Sequence, residues 1–458
     1  MGGRNAPKYA GGLVMAIDFN QPQTISQLLN QKLTIPEYQR AYKWQPKHVN
    51  QLIDDIFNHR TKPCYRLGTV VLHQDKGEEK NDTLDIVDGQ QRLLTLTLLC
   101  TILDESEKTI SSTLLEHKFE SSVSIENLKN NALIISERLG NLPETEKKEL
   151  LNFVLNKCEL IQVTLDDLSE AFQFFDSQNA RGKALAPHDL LKAYHLREMM
   201  DSTDQIERLH HVSLWEQGIN PDDDSANLHT IMGEFLFRMR RWVDGDYGIQ
   251  FSRHNIDVFK GINLDSTQYA YVDAMLALDY AIESFNADPA RKWDKQTKRY
   301  PFQVDQVMIN GKRFFEYIQH YMAIHSALFV GKDARLSLFV NTHVKYDGSN
   351  RKGDSYVRNL FLCAVMYYYD KFGDVELEKA VQICYRWSYF LRLELQRIGM
   401  ESVDNHAKAR SGLFRVINKS VHPQQVLNYQ PPYIKEPKFT NAKDVQASIE
   451  AMKSGSVN

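Results

Sequence analysis

The sequence is poor in cysteine: Cys64, Cys100, Cys158, Cys363 and Cys384 are scattered over 458 residues and no two form a CxxC pair. That scatter argues against a zinc ribbon or a disulfide framework and predicts a cytosolic protein. No apolar run approaches the roughly 20 residues of a membrane helix, and the first residues lack the apolar centre of a signal peptide. No GxxxxGKS/T loop occurs, which argues against P-loop chemistry. Neither charge dominates, since 55 Lys and Arg face 59 Asp and Glu for a net charge of -4. Nucleic-acid binding therefore cannot be inferred from bulk charge, although a basic surface can be local. What is present, 42% hydrophobic and 25% charged residues, is ordinary for a globular chain of two or three domains.

The most informative stretch runs Leu84-Asp85-Ile86-Val87-Asp88-Gly89-Gln90-Gln91-Arg92 and continues into Leu93-Leu94-Thr95-Leu96-Thr97-Leu98-Leu99. A short apolar run, an Asp-Gly turn and a long apolar segment predict strand, tight turn and helix. Asp88 is the expected N-cap, and Gly89 permits the sharp start of the helix. The unpaired N–H groups of such a first turn suit an anion. Arg92 stands near the positive end of the helix dipole, where a cation is slightly unfavourable. Two readings follow: it grips a phosphate, or it pairs with Asp85 or Asp88 and braces the turn. Strand alternation points Asp85 to the face opposite Asp88 and makes it the weaker candidate.

Residues 1–16 read as a flexible lead-in, and Ile17 to Leu33 as a short strand and a helix. Leu33 to Trp44 reads as extended, because Pro36 discourages helix. Pro46 fits the first position of a helix carrying Val49, Leu52, Ile53, Ile56 and Phe57 at helical spacing. Tyr65–His73 reads as a strand, Gly77–Asp82 as a hairpin turn and Leu84–Val87 as the partner strand. Arg40 and Arg92 could then face a common cleft. Leu114–Phe119, Ile125–Leu139 and Glu144–Val154 read as helices, and Ile161–Leu165 as one more strand.

Three motifs in order carry a family resemblance. They are Ile35-Pro36-x-Tyr38-Gln39-Arg40-x-Tyr42-x-Trp44, then Val87-Asp88-Gly89-Gln90-Gln91-Arg92, then Phe174-Phe175-Asp176-Ser177-Gln178-Asn179-Ala180-Arg181-Gly182-Lys183-Ala184-Leu185 followed by Asp189-Leu190-Leu191-Lys192. Together they resemble the N-terminal domain of the GmrSD-type restriction family, whose fold is related to the ParB and sulfiredoxin nucleotidases. The resemblance implies an NTP-binding and NTP-hydrolysing domain over 17–200, used in bacterial defence against foreign, often modified, DNA. It carries the nucleotidase motif onto Asp88, Gly89, Gln90, Gln91 and Arg92, and the companion motif onto Tyr38, Gln39 and Arg40. Side-chain chemistry agrees: an Arg fork suits phosphate, Asp88 suits Mg²⁺, and a Gln suits positioning of water. Asn179 and Gly182 fit a turn needing unusual dihedrals ahead of a helix capped by Asp189, while Asn179, Arg181 and Lys183 could also reach a nucleotide or a DNA phosphate.

A mostly helical second domain is placed at 201–435, with helices over Ala226–Val243, Gln268–Phe285, Lys312–Phe329, Tyr356–Lys371, Leu377–Arg397 and Asn405–Ile417, and 436–458 reads as a polar tail. The expected fold class is therefore α+β. Basic and aromatic residues mix around Arg240 and Arg241 with Trp242, and from Arg291 through Trp293 and Lys295 to Arg299 and Tyr300. Such mixtures track a phosphate backbone and stack on bases, or are snorkelling arginines around an aromatic core. The family often carries a C-terminal HNH nuclease, but Asn405-His406 and His422-Pro423 stand without a second ligand set. Cleavage is accordingly expected from a separate nuclease partner. Two function classes remain: a nucleotide-hydrolysing component of a defence system, and a non-enzymatic DNA- or partner-binding module that keeps the fold without turnover.

Overall fold

The computed structural model describes residues 18–36, 39, 41–74, 83–104, 114–119, 121–166, 186–199, 205–219, 227–331, 334–435 and 442–453. The chain divides into two compact units, Met1–Leu185 and Ala186–Asn458. The helix Pro187–Arg197, grouped with the first domain by sequence, thus lies in the second unit.

The first unit holds five strands, β1 Asp18–Thr24, β2 Leu33–Thr34, β3 Tyr65–His73, β4 Leu84–Asp88 and β5 Cys158–Leu165, in the order β1-β5-β3-β4-β2. Its helices are α1 Ile25–Leu29, α2 Pro46–His59, α3 Gln90–Leu103, α4 Ser122–Gly140 and α5 Glu144–Lys157. The hairpin expected from sequence forms as an antiparallel β3–β4 pair, while β5 runs parallel to β3 inside the sheet and pairs antiparallel with β1. Pro46 opens α2 as expected, and Val49, Leu52, Ile53 and Ile56 are its buried face.

Helix α3 carries the core. Leu93, Leu94, Leu96, Leu99, Cys100 and Leu103 join the α2 face and the β3 and β4 residues Val70, Leu72 and Ile86 in one apolar cluster. The buried Thr95 and Thr97 hydroxyls donate 2.8 Å bonds to the Gln91 and Leu93 carbonyls one turn back, so both hydroxyl donors are satisfied within that core. Leu114–Phe119 forms a turn at Leu114–Glu116 instead of the expected helix.

The second unit is built from helices, among them Gln205–Ile219, Ala270–Ala287, Lys312–Phe329, Lys352–Phe372 and Leu377–Glu394. The helix expected from Ala226 to Val243 runs Leu228–Thr230, passes through a π-helical segment Ile231–Leu236 and continues as Phe237–Asp244. The helix expected over Asn405–Ile417 is two, Met400–Ala407 and Leu413–Lys419. Gly412 turns the chain between them, where a Cβ would lie 2.9 Å from the Ala409 carbonyl. Asp189 sits within the first turn of its helix, whose cap is Ala186, because Pro187 takes the first position. The expected polar tail contains a helix, Lys443–Lys453, whose Val445, Ile449 and Met452 are buried at helical spacing. Among the described residues no helix is long and apolar enough to cross a membrane.

Candidate functional site

Strand β4 delivers Asp88 at its last position, and Gly89, with φ +98°, is the N-cap of α3. The expected capping role of Asp88 is therefore displaced by one residue. The chain must enter a left-handed conformation to leave the strand, and only glycine does so without strain. Space matters too, since a Cβ on Gly89 would approach Val70 Cγ2 to 3.2 Å. The first helical bond follows at once, from Leu93 N–H to Gly89 O at 2.9 Å.

One turn into the helix, Arg92 reaches back over β3. Its Nη1 donates to the Thr69 carbonyl at 3.3 Å, the one hydrogen bond it makes among the described residues. The guanidinium occupies a slot cut by Gly68, where φ is +120° and a Cβ would stand 2.9 Å from Nη1. Gly68 lies inside the register shift between Arg66 and Thr69, so the bulge in β3 makes the room. Burial holds the Arg92 guanidinium below its usual range, while the Asp88 charge acts in the opposite sense. Asp85 is differently engaged: it accepts from the Thr34 hydroxyl and faces His73 Nδ1 at 3.8 Å. Of the two carboxylates weighed as partners of Arg92, Asp88 is thus the one whose charge it feels.

The neighbouring glutamines hold the scaffold. Gln39 Nε2 donates to the Ile86 and Val87 carbonyls at 2.7 and 2.8 Å. Gln91 Oε1 accepts from the Lys43 and Trp44 amides at 2.7 and 3.2 Å, and its Nε2 donates to Ala41 O and Gln90 Oε1, both at 3.2 Å. Gln90 is buried beside it. The two motifs separated by fifty residues are therefore tied through amide side chains: Gln39 fixes the strand before the turn, and Gln91 fixes the segment after Arg40. Tyr38, Arg40, Asn179 and Lys183 lie outside the described residues.

A polar stripe on α4, missed in the sequence reading, completes this brace. Ser124 Oγ accepts from Tyr42 N–H at 2.9 Å, Asn127 Nδ2 donates to Tyr42 O at 3.0 Å, and Asn131 Nδ2 donates to Tyr42 Oη and Trp44 O at 3.0 and 2.8 Å. The spacing of Ser124, Asn127 and Asn131 along one helix face was the available signal.

A metal in such a site would be Mg²⁺, which binds nucleotide phosphates through one or two protein carboxylates. Asp88 fits that requirement as a single ligand. Among the described residues no three His, Cys, Asp or Glu side chains gather into a metal-binding group.

The basic residues of the second unit divide. Arg240 Nη1 donates to the Val304 and Gln306 carbonyls at 2.7 and 2.9 Å, and Arg241 binds Tyr247 O at 3.1 Å and Asp246 Oδ2 at 3.0 Å. Lys295 and Arg299 are exposed. His406 stacks on Trp387 with its Nε2 3.0 Å from the Trp387 carbonyl, inside the fold.

Comparison with known families divides the chain at nearly the same place as its contacts. Residues 25–196 match the N-terminal domain of the GmrSD restriction endonuclease, and residues 207–447 match a family of unknown function, DUF7834. No curated protein matches the chain. The chain thus belongs to the DUF7834 family, with a GmrSD restriction endonuclease N-terminal domain at residues 25–196.

Proposed function

We propose that this protein is an NTP-binding and NTP-hydrolysing component of a restriction-type defence system acting on foreign or modified DNA. The observation that carries the reading is the placement of Arg92. A half-buried guanidinium with one long hydrogen bond among the described residues lies in a glycine-lined slot at the glycine-opened start of α3. Nucleotide phosphates would supply a bidentate anionic partner, which none of the described residues gives that group, at the first turn of α3. Asp88 would hold Mg²⁺, which would neutralise charge on the phosphates, and Gln90 would orient the attacking water. Restriction of DNA fits the matched domain, and cleavage would come from a partner nuclease.

A second reading, nucleotide or DNA binding without turnover, is favoured by one fact: the Gln39 and Gln91 amides are taken up by backbone groups. The deciding experiment is phosphate release from ATP, GTP, CTP and UTP with Mg²⁺, with and without DNA, alongside equilibrium nucleotide binding, for the wild type and Arg92→Ala. Turnover lost in a folded Arg92→Ala supports hydrolysis at this site. Binding without phosphate release selects the second reading, and equal affinity in both proteins overturns the assignment of Arg92.

A further inference from the structure

The short helix Pro289–Trp293 ends in a tryptophan that is 88% exposed, the most solvent-open large apolar side chain among the described residues. Around it the stretch 288–299 carries five cations, Arg291, Lys292, Lys295, Lys298 and Arg299, against two carboxylates, Asp288 and Asp294, in a chain of net charge -4. All five except Arg291 are exposed.

The stretch is built to hold its shape. Asp288 caps the helix through Ala290 N–H at 2.9 Å. At the other end Lys295 N–H bonds Lys292 O at 3.2 Å and Gln296 N–H bonds Arg291 O at 2.8 Å, the paired bonds of a Schellman stop. The Asn286 side chain clamps Lys298 from both sides, donating to its carbonyl at 2.9 Å and accepting from its N–H at 2.8 Å. Arg291 and Lys298 both stand over the Phe285 ring, 5.2 and 4.3 Å from its centroid.

Lys295 takes the left-handed position of the stop, φ +54°. Glycine or asparagine is the usual residue there, because a side chain is strained in that conformation. A lysine in its place trades backbone ease for a surface charge beside Trp293.

We infer that this platform binds single-stranded nucleic acid, one unpaired base stacking on Trp293 while Lys292, Lys295, Lys298 and Arg299 follow the phosphates. Charge complementarity selects a polyanion, and an open indole selects one with exposed aromatic faces, which a closed duplex does not offer. The inference stands apart from nucleotide hydrolysis at Arg92 and needs neither turnover nor the first unit.

The test uses the full chain and a fluorescent oligo-dT of about 15 nucleotides, against the same length of duplex, over a range of salt concentrations. Single-strand binding should weaken about tenfold or more in Trp293→Ala, with the salt slope unchanged and with partial rescue in Trp293→Phe. Lys295→Gly should leave thermal stability equal or higher, while lowering affinity and reducing the salt slope by about 0.7. Because Trp293 and Lys295 are exposed, both variants fold. Equal affinity in Trp293→Ala, equal affinity for duplex and single strand, or no nucleic-acid binding at all would each overturn the inference. The last would leave the platform as a protein-docking surface.

Discussion

Arg313 in the second unit and Arg92 in the first are guanidinium groups drawn out of water and used in opposite ways. Arg313 is 6% exposed and meets three carboxylates at 2.6 Å, Asp279 on Nε, Glu316 on Nη1 and Glu283 on Nη2, with Tyr300 beneath its plane. Burial alone would lower its proton affinity, but Glu316 and Asp279 outweigh burial and raise it. Every face of that group is answered by protein. Arg92, by contrast, has one 3.3 Å hydrogen bond among the described residues and a net downward shift from burial. A saturated buried arginine belongs to the scaffold. An under-answered one, lodged where two glycines keep the backbone open, suits a ligand.

The sharpest break of that contrast is Arg313→Ala. Removing the cation leaves Asp279 and Glu316 without this partner, with Lys312 still paired to Glu283 at 3.0 Å, and stability should fall by about 3 kcal/mol, measured by urea unfolding. A loss below about 1 kcal/mol would put Arg313 in the same class as Arg92.

Acid attacks the second unit through another saturated set. His195, His211, His325 and His406 are held neutral by burial, with pKa values pushed down to about 3, 4, 4 and 4. His195 shows why: its Nδ1 accepts from Gly311 N–H at 3.1 Å while Nε2 faces the Phe259 carbonyl at 3.0 Å, and only the neutral ring can accept and donate at once. The unfolded chain binds these protons first, so stability is complete above about pH 6.5 and falls as the pH drops towards 4. Asp370 works the other way. Burial lifts it to about 7, so its contribution is present at low pH and lost as the pH rises through 7. With four groups against one, unfolding at pH 5 should require about 2–5 kcal/mol less than at pH 7. Equal stability at the two pH values would show that these rings are not held neutral.

Gly68→Ala tests the Arg92 slot without touching Arg92. Its φ of +120° is a conformation open to glycine, and the new Cβ would stand 2.9 Å from Nη1. A cost of about 1–3 kcal/mol is expected, together with weaker nucleotide binding as the guanidinium is pushed aside. Binding at wild-type strength would separate the slot from the ligand site. The smallest expected effect on stability is that of Arg92→Ala, within about 1 kcal/mol, since one long hydrogen bond contributes little. A loss as large as that of Arg313→Ala would make Arg92 a scaffold residue after all.

Much of the chain could be read from spacing. Lys312–Phe329 and Tyr65–His73 form with the bounds that their periodicity predicts, and Pro46 opens α2. Local chemistry decides such elements, and local chemistry is what a sequence displays. The misreadings share a different cause. The Asn405–Ile417 pattern is continuous in period, but Gly412 breaks it, and the Lys443–Lys453 helix sits in a segment whose overall polarity hides three buried apolar residues.

Within the site, the sequence alone determined that a strand ends in Asp-Gly and starts a helix with an arginine one turn in, because those dihedrals and that period are properties of neighbouring residues. Only the tertiary structure decided what the side chains do. Gln39 and Gln91, each next to an arginine in its own motif and alike in chemistry, turn inward to backbone carbonyls and amides some fifty residues away, and Arg240 finds carbonyls more than sixty residues on while Arg241 takes one only six residues away. An amide or a guanidinium satisfies whichever partner folding brings within reach, and that partner is set by packing between segments that the sequence does not place side by side.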